Sequence, residues 1–114
     1  MNDEELKGLF DDELQEFINE MQDRQYVPPV TKKTIDDYVE HGYMPGHFVW
    51  AVLENNLMQA FGAADSNNTR YMRNICAYVY NDIPSVCHGS PQKVRDWLQM
   101  HADRREEMKN ANRD

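Results

Sequence analysis

The chain of 114 residues has little of what most functional classes require. It has two cysteines, Cys76 and Cys87, too few for a disulfide framework; in a reducing compartment both are expected as thiols. No Cys-x-x-Cys or His-x-x-x-His spacing occurs, so no metal centre is expected. No apolar run nears the ~20 residues of a membrane-spanning helix. The N-terminus Met-Asn-Asp-Glu-Glu is acidic where a signal peptide is basic, so a soluble, cytoplasmic chain without membrane contact is expected. No stretch alternates polar and apolar residues over a strand's length, and there are no internal repeats or heptads. Nor is there a basic face: the net charge is -8, which argues against nucleic acid as the main partner.

What is present points to helices. Hydrophobic residues make up 40% of the chain, enough for one modest core, while a mean hydropathy of -0.85 implies much solvated helix surface. The reading is a single all-α domain, a compact bundle of about five helices with an irregular loop before the last. Residues 1–25 form an acidic N-terminal helix, 31–102 the helical core, and 103–114 a charged tail expected to fray or project.

The acidic segment carries nine carboxylates against Lys7 and Arg24, whereas the rest of the chain is nearly neutral. Its apolar residues Leu6, Phe10, Leu14, Phe17, Ile18 and Met21 recur at steps of three and four. Pro28-Pro29 ends this helix. A short second helix starts at Thr31 or Thr34, where Thr34 and Asp37 resemble a capping box, and stops at Gly42. A third runs from Pro45 to about Ala64, with Phe48, Val49, Val52, Leu53, Leu57, Met58, Ala60 and Phe61 making a wide apolar face. Asn55-Asn56 interrupts that face, so one of the pair is expected to meet a polar partner or a loop backbone. The fourth, about Asn68 to Tyr80, buries Met72, Ile75, Cys76 and Val79, and Ser90-Pro91 caps and opens the fifth.

Two glycine-marked loops, His41 to His47 and Tyr80 to Pro91, hold most of the aromatic, His and Cys side chains outside these stripes. Cys87-His88-Gly89-Ser90 suggests a nucleophile whose thiol pKa the following helix could lower, but no base is tied to it by sequence, and a small residue in a tight loop is the plainer reading. No enzyme activity or cofactor is expected. Aromatic residues are numerous for this size and suit an interface, whether with another protein or in self-association. The expected protein-contact surface joins Asp11, Asp12 and Glu16 to Tyr43, His47 and Trp50. The alternative is a nucleotide held by Arg70, Arg73, Tyr80, Asn81, His88 and Ser90, with the start of the last helix facing a phosphate and Lys93 and Arg95 as further cations near it.

Several motifs form a longer pattern: Tyr38-Val39-Glu40-His41-Gly42, Met44-Pro45-Gly46-x-Phe48, Ala51-Val52-Leu53-x-Asn55-x-Leu57-x-x-Ala60 and Ala64-Asp65-x-x-Asn68. It continues through Tyr80-Asn81-x-x-Pro84-x-x-Cys87-x-Gly89-Ser90-Pro91-x-x-Val94-x-x-Trp97. Over residues 38–98 this resembles a family of small, uncharacterised proteins from tailed-phage genomes. The acidic helix and the tail lie outside the resemblance. A phage origin implies a stoichiometric binder that blocks a host or anti-phage defence protein in the cytoplasm of an infected bacterium, or a sponge that sequesters a signalling nucleotide.

Overall fold

The computed structural model describes the backbone of residues 3–112 and the side chains of residues 11–20, 23 and 25–112. Leu6, Phe10 and Met21 of the acidic stripe lie outside the described side chains. The described residues form an all-α fold: α1 (Asp3–Gln25), α2 (Pro29–His41), α3 (His47–Leu53), α4 (Leu57–Ala63), α5 (Ser66–Arg70), α6 (Met72–Asp82) and α7 (Pro91–Ala111), with a 3₁₀ turn at Ser85–Cys87. None of the described helices is long and apolar enough to cross a membrane.

Two of the five expected helices are subdivided, each for a local reason. Asn55 adopts a left-handed φ of 65° and divides the third. The Asn56 N–H donates to the Ala51 carbonyl at 2.8 Å and the Asn55 N–H to the Val52 carbonyl at 3.1 Å. These two bonds make a Schellman closure, with Asn in the place usually held by Gly. Asn56 then caps α4 by accepting from the Gln59 N–H at 3.3 Å. Of the pair, Asn56 thus meets a polar partner, as expected, in the first turn of α4. The fourth helix loosens only at Tyr71, which separates α5 from α6, and it starts at an Asp65 cap accepting from the Asn68 N–H at 2.8 Å.

The start of α2 differs from the sequence reading. Pro29 occupies the first position, where the missing N–H costs nothing. Thr34 makes no capping box: its hydroxyl lies inside the helix and donates back to the Val30 carbonyl at 3.0 Å. Ser90 does cap α7, accepting from the Lys93 N–H at 3.2 Å.

The core gathers Ile35 and Tyr38 of α2, Val49, Val52 and Leu53 of α3, Ile75 and Val79 of α6, Cys87, and Val94 of α7. Tyr38 joins these layers. Its hydroxyl donates to the Cys87 carbonyl at 2.8 Å, and its own carbonyl accepts from the Gly42 N–H at 2.9 Å and from Trp97 Nε1 at 3.2 Å. Leu57, Met58 and Phe61, expected to face inward, are exposed because the break at Asn55 turns α4 away from the core direction of α3.

The outline is extended rather than compact. The principal extents are 78, 36 and 21 Å, and the radius of gyration is 20.1 Å, against about 13 Å for a compact chain of this length. Residues 11–20 of α1 and 103–111 of α7 are exposed throughout. The charged tail is accordingly helical to Ala111.

Candidate functional site

Two regions carry the candidate residues: the exposed face of α1, and a pocket between α3, α6 and the start of α7.

The C-terminal end of α1 is tethered to α5 and α6. The Asn74 side-chain amide donates to the carbonyls of Asp23 and, at 2.9 Å, Tyr26. The Tyr26 ring meets the Tyr71 ring edge-on, with centroids 4.6 Å apart. Before this anchor the apolar stripe is uncovered: Leu14, Phe17 and Ile18 are 48%, 59% and 38% exposed. Helical periodicity places Asp11 three residues before Leu14 and Glu13 four before Phe17, so these two acids border the stripe. Asp12 and Glu16, spaced by four, run along the far side.

Of the other expected contact residues, Tyr43 and His47 are exposed, and Tyr43 stacks on His41 with ring centroids 5.0 Å apart. Trp50 is not a free anchor. It is half-buried against the core and its indole N–H donates to Glu54 one turn on. The anchor of α1 lies at the start of α2 and Tyr43 just past its end. About 20 Å of helix, at 1.5 Å per residue, separates them.

The pocket has a volume of about 690 Å³, within the usual range for small-molecule sites. Its walls are mainly apolar, from Val52, Leu57, Ala77 and Val79, with Tyr80 on the rim. Asn55, Asn81, Ser85, His88 and Lys93 supply polar groups. The Gly89 N–H donates to the Leu53 carbonyl at 2.7 Å and closes the loop onto α3. Lys93 reaches back over the same loop and donates to the Ser85 carbonyl at 3.2 Å. His88 Nε2 is buried without a hydrogen-bond partner. Burial, reinforced by the nearby Lys93 ammonium, pushes the His88 pKa below its ordinary value, so the ring is neutral at pH 7.

The structure therefore gathers Tyr80, Asn81 and His88 of the expected ligand set at one pocket, with Ser90 beside it as the α7 cap. Arg70 and Arg73 do not line it; Arg70 lies over the Tyr71 ring, 5.4 Å from its centroid. Asn55 and Leu57 are pocket residues absent from the expected ligand set, while Lys93, expected as a cation near the start of α7, does line the pocket. The Asn55-Asn56 pair is the sequence signal that could have pointed to the first two.

Cys87 has the opposite of an activated environment. It is fully buried, its thiol donates to the Pro84 carbonyl at 3.0 Å, and burial pushes its pKa up to about 11. Desolvation outweighs the lowering that a backbone hydrogen bond brings. Among the described residues no group of three His, Cys, Asp or Glu side chains converges as a metal ion would need.

No protein-family model, curated protein or solved structure matches this chain.

Proposed function

We propose that this chain is a non-catalytic, phage-type binding protein that inhibits a host or anti-phage defence factor by stoichiometric contact, with α1 as the docking helix. The observation that carries this reading is the uncovered stripe of Leu14, Phe17 and Ile18 on a 23-residue helix. Most of a helix's stability in a protein comes from packing its apolar face, and over residues 11–20 that face has no cover among the described residues. Fully burying a large apolar side chain is worth about 1.5–3 kcal/mol, so three half-exposed ones offer a partner several kcal/mol. Asp11 and Glu13 beside the stripe specify the partner's chemistry: an apolar groove with a basic rim. The resemblance to tailed-phage proteins supports a bacterial host as the place where that partner is found.

The test is capture from bacterial lysate by the tagged chain and by three variants. Phe17→Ser, and Asp11→Lys with Glu13→Lys, should lose the stoichiometric partner. Asp12→Lys with Glu16→Lys, on the far side of the helix, should retain it. All three should melt within about 0.5 kcal/mol of the parent, as surface changes do. Equal capture by the Phe17→Ser variant would overturn the docking role of α1.

A further inference from the structure

We infer that the pocket between α3, α6 and α7 is a binding site for a small organic anion with a flat apolar body and a single negative charge. This site is independent of the α1 face. The argument rests on the pocket's size, the division of its walls and the charge at one end.

The volume of about 690 Å³ accommodates a ligand of two or three fused or linked rings. Val52, Leu57, Ala77 and Val79 offer such a body an apolar bed, and Tyr80, 80% exposed at the rim, offers a face to stack on. An interior of this kind binds by removing apolar area from water, and a ring system gains more from it than a sugar or a peptide would.

The sign of the ligand follows from the polar residues. No Asp or Glu lines the pocket, and Lys93 is its one cation. Among the described residues Lys93 makes no ion pair, and its hydrogen bond goes to the Ser85 carbonyl, leaving donors of the ammonium for an anion. The start of α7 adds its positive dipole end on the same side. His88 adds a neutral ring to the wall and no charge. A single cation matches a single charge. A pyrophosphate or cyclic dinucleotide would bring two or more, and Arg70 and Arg73, which could have met them, do not line the pocket.

The probe is 8-anilinonaphthalene-1-sulfonate, an aromatic body with one sulfonate, added to the ¹⁵N-labelled full chain and followed by amide NMR. The expected result is a saturable set of shifts centred on Tyr80, Asn81, His88, Gly89 and Lys93. Lys93→Gln, an exposed change that leaves the core intact, should weaken the sulfonate about fivefold, the upper end for a solvent-exposed ion pair. The uncharged N-phenyl-1-naphthylamine, followed by fluorescence, should bind parent and variant equally. Ala77→Leu should displace both probes by filling the bed. Shifts centred on Leu14 to Ile18 would assign the probe to the α1 stripe and overturn the inference. Loss of both probes to the same degree in Lys93→Gln, or no loss of either, would overturn the anion assignment. A cyclic dinucleotide that shifts the same amides at lower concentration would overturn the single-charge assignment.

Discussion

Replacing Gly42 by Ala tests the junction that holds α2 against α7. Gly42 follows α2 with φ of 67°, and its N–H donates to the Tyr38 carbonyl at 2.9 Å. An L-residue pays roughly 1–2 kcal/mol for this left-handed conformation. The second cost is steric. A Cβ at Gly42 would lie 2.3 Å from His101 Cβ, 2.6 Å from its Cγ and 2.9 Å from its Cδ2. His101 cannot swing aside cheaply, because it is buried, packs edge-on to Trp97 with centroids 5.2 Å apart, and bonds through Nε2 to the Val39 carbonyl at 3.2 Å. Moving α7 to relieve the contact sacrifices that bond, worth about 1 kcal/mol, and loosens the Trp97 Nε1 bond to Tyr38. The sum is about 3 kcal/mol or more, which for this chain length lowers Tm by roughly 12 °C.

Urea and thermal unfolding monitored by circular dichroism would measure it, with Gly62→Ala as the contrast. Gly62 lies inside α4 with nothing within 4 Å of its would-be Cβ. There the same substitution should stabilise, by up to about 1 kcal/mol through helix propensity. His101→Ala should not rescue Gly42→Ala, since the nearest atom is the His101 Cβ, which alanine retains. A loss below about 1 kcal/mol for Gly42→Ala, or a full rescue by His101→Ala, would refute the steric reasoning.

Two further outcomes follow from the core and the pocket. Tyr38→Phe should cost about 1–3 kcal/mol in equilibrium unfolding, because it leaves the Cys87 carbonyl without its buried donor; a neutral effect would mean that water or a local shift replaces the hydroxyl. For His88, whose folded pKa is below its ordinary 6.5, the unfolded chain binds more protons once the pH falls under 6.5. Stability should therefore be level in this respect above that pH and decline as the pH drops through the interval down to the folded pKa. His88→Gln should flatten that part of the profile, and identical slopes for parent and variant would count against a buried neutral ring.

Much of the fold was legible in the sequence, and the reason differs from element to element. Ser90-Pro91 and Gly42 act where they stand, because a cap and a left-handed stop depend on the few residues around them. The period of α1 was legible for the same reason. Asn55-Asn56 was recognised as an oddity, but its resolution as a helix break needed the backbone, since Asn enters the left-handed region less freely than Gly. That one turn decided that Leu57, Met58 and Phe61 face outward and that Leu57 borders a pocket.

The candidate site was legible only in part. Tyr80, Asn81 and His88 were singled out because they lie in one glycine-marked loop, and the structure keeps them together. Arg70 and Arg73 were added on charge, which says nothing about where a side chain ends up in space. Lys93 was legible only as a cation near the start of α7, because a charge on a helix face does not say by itself where the side chain reaches. The sequence by itself determined the all-α class, the helix ends marked by local caps, and the two faces of α1, all set by interactions within a few residues. Only the tertiary structure decided that the α1 stripe is left uncovered over residues 11–20, that Cys87 is sealed behind Tyr38, and that Lys93 comes back over the 85–89 loop to charge one end of an apolar pocket. Each of these depends on contacts between residues distant in the chain, whose pairing no local pattern encodes.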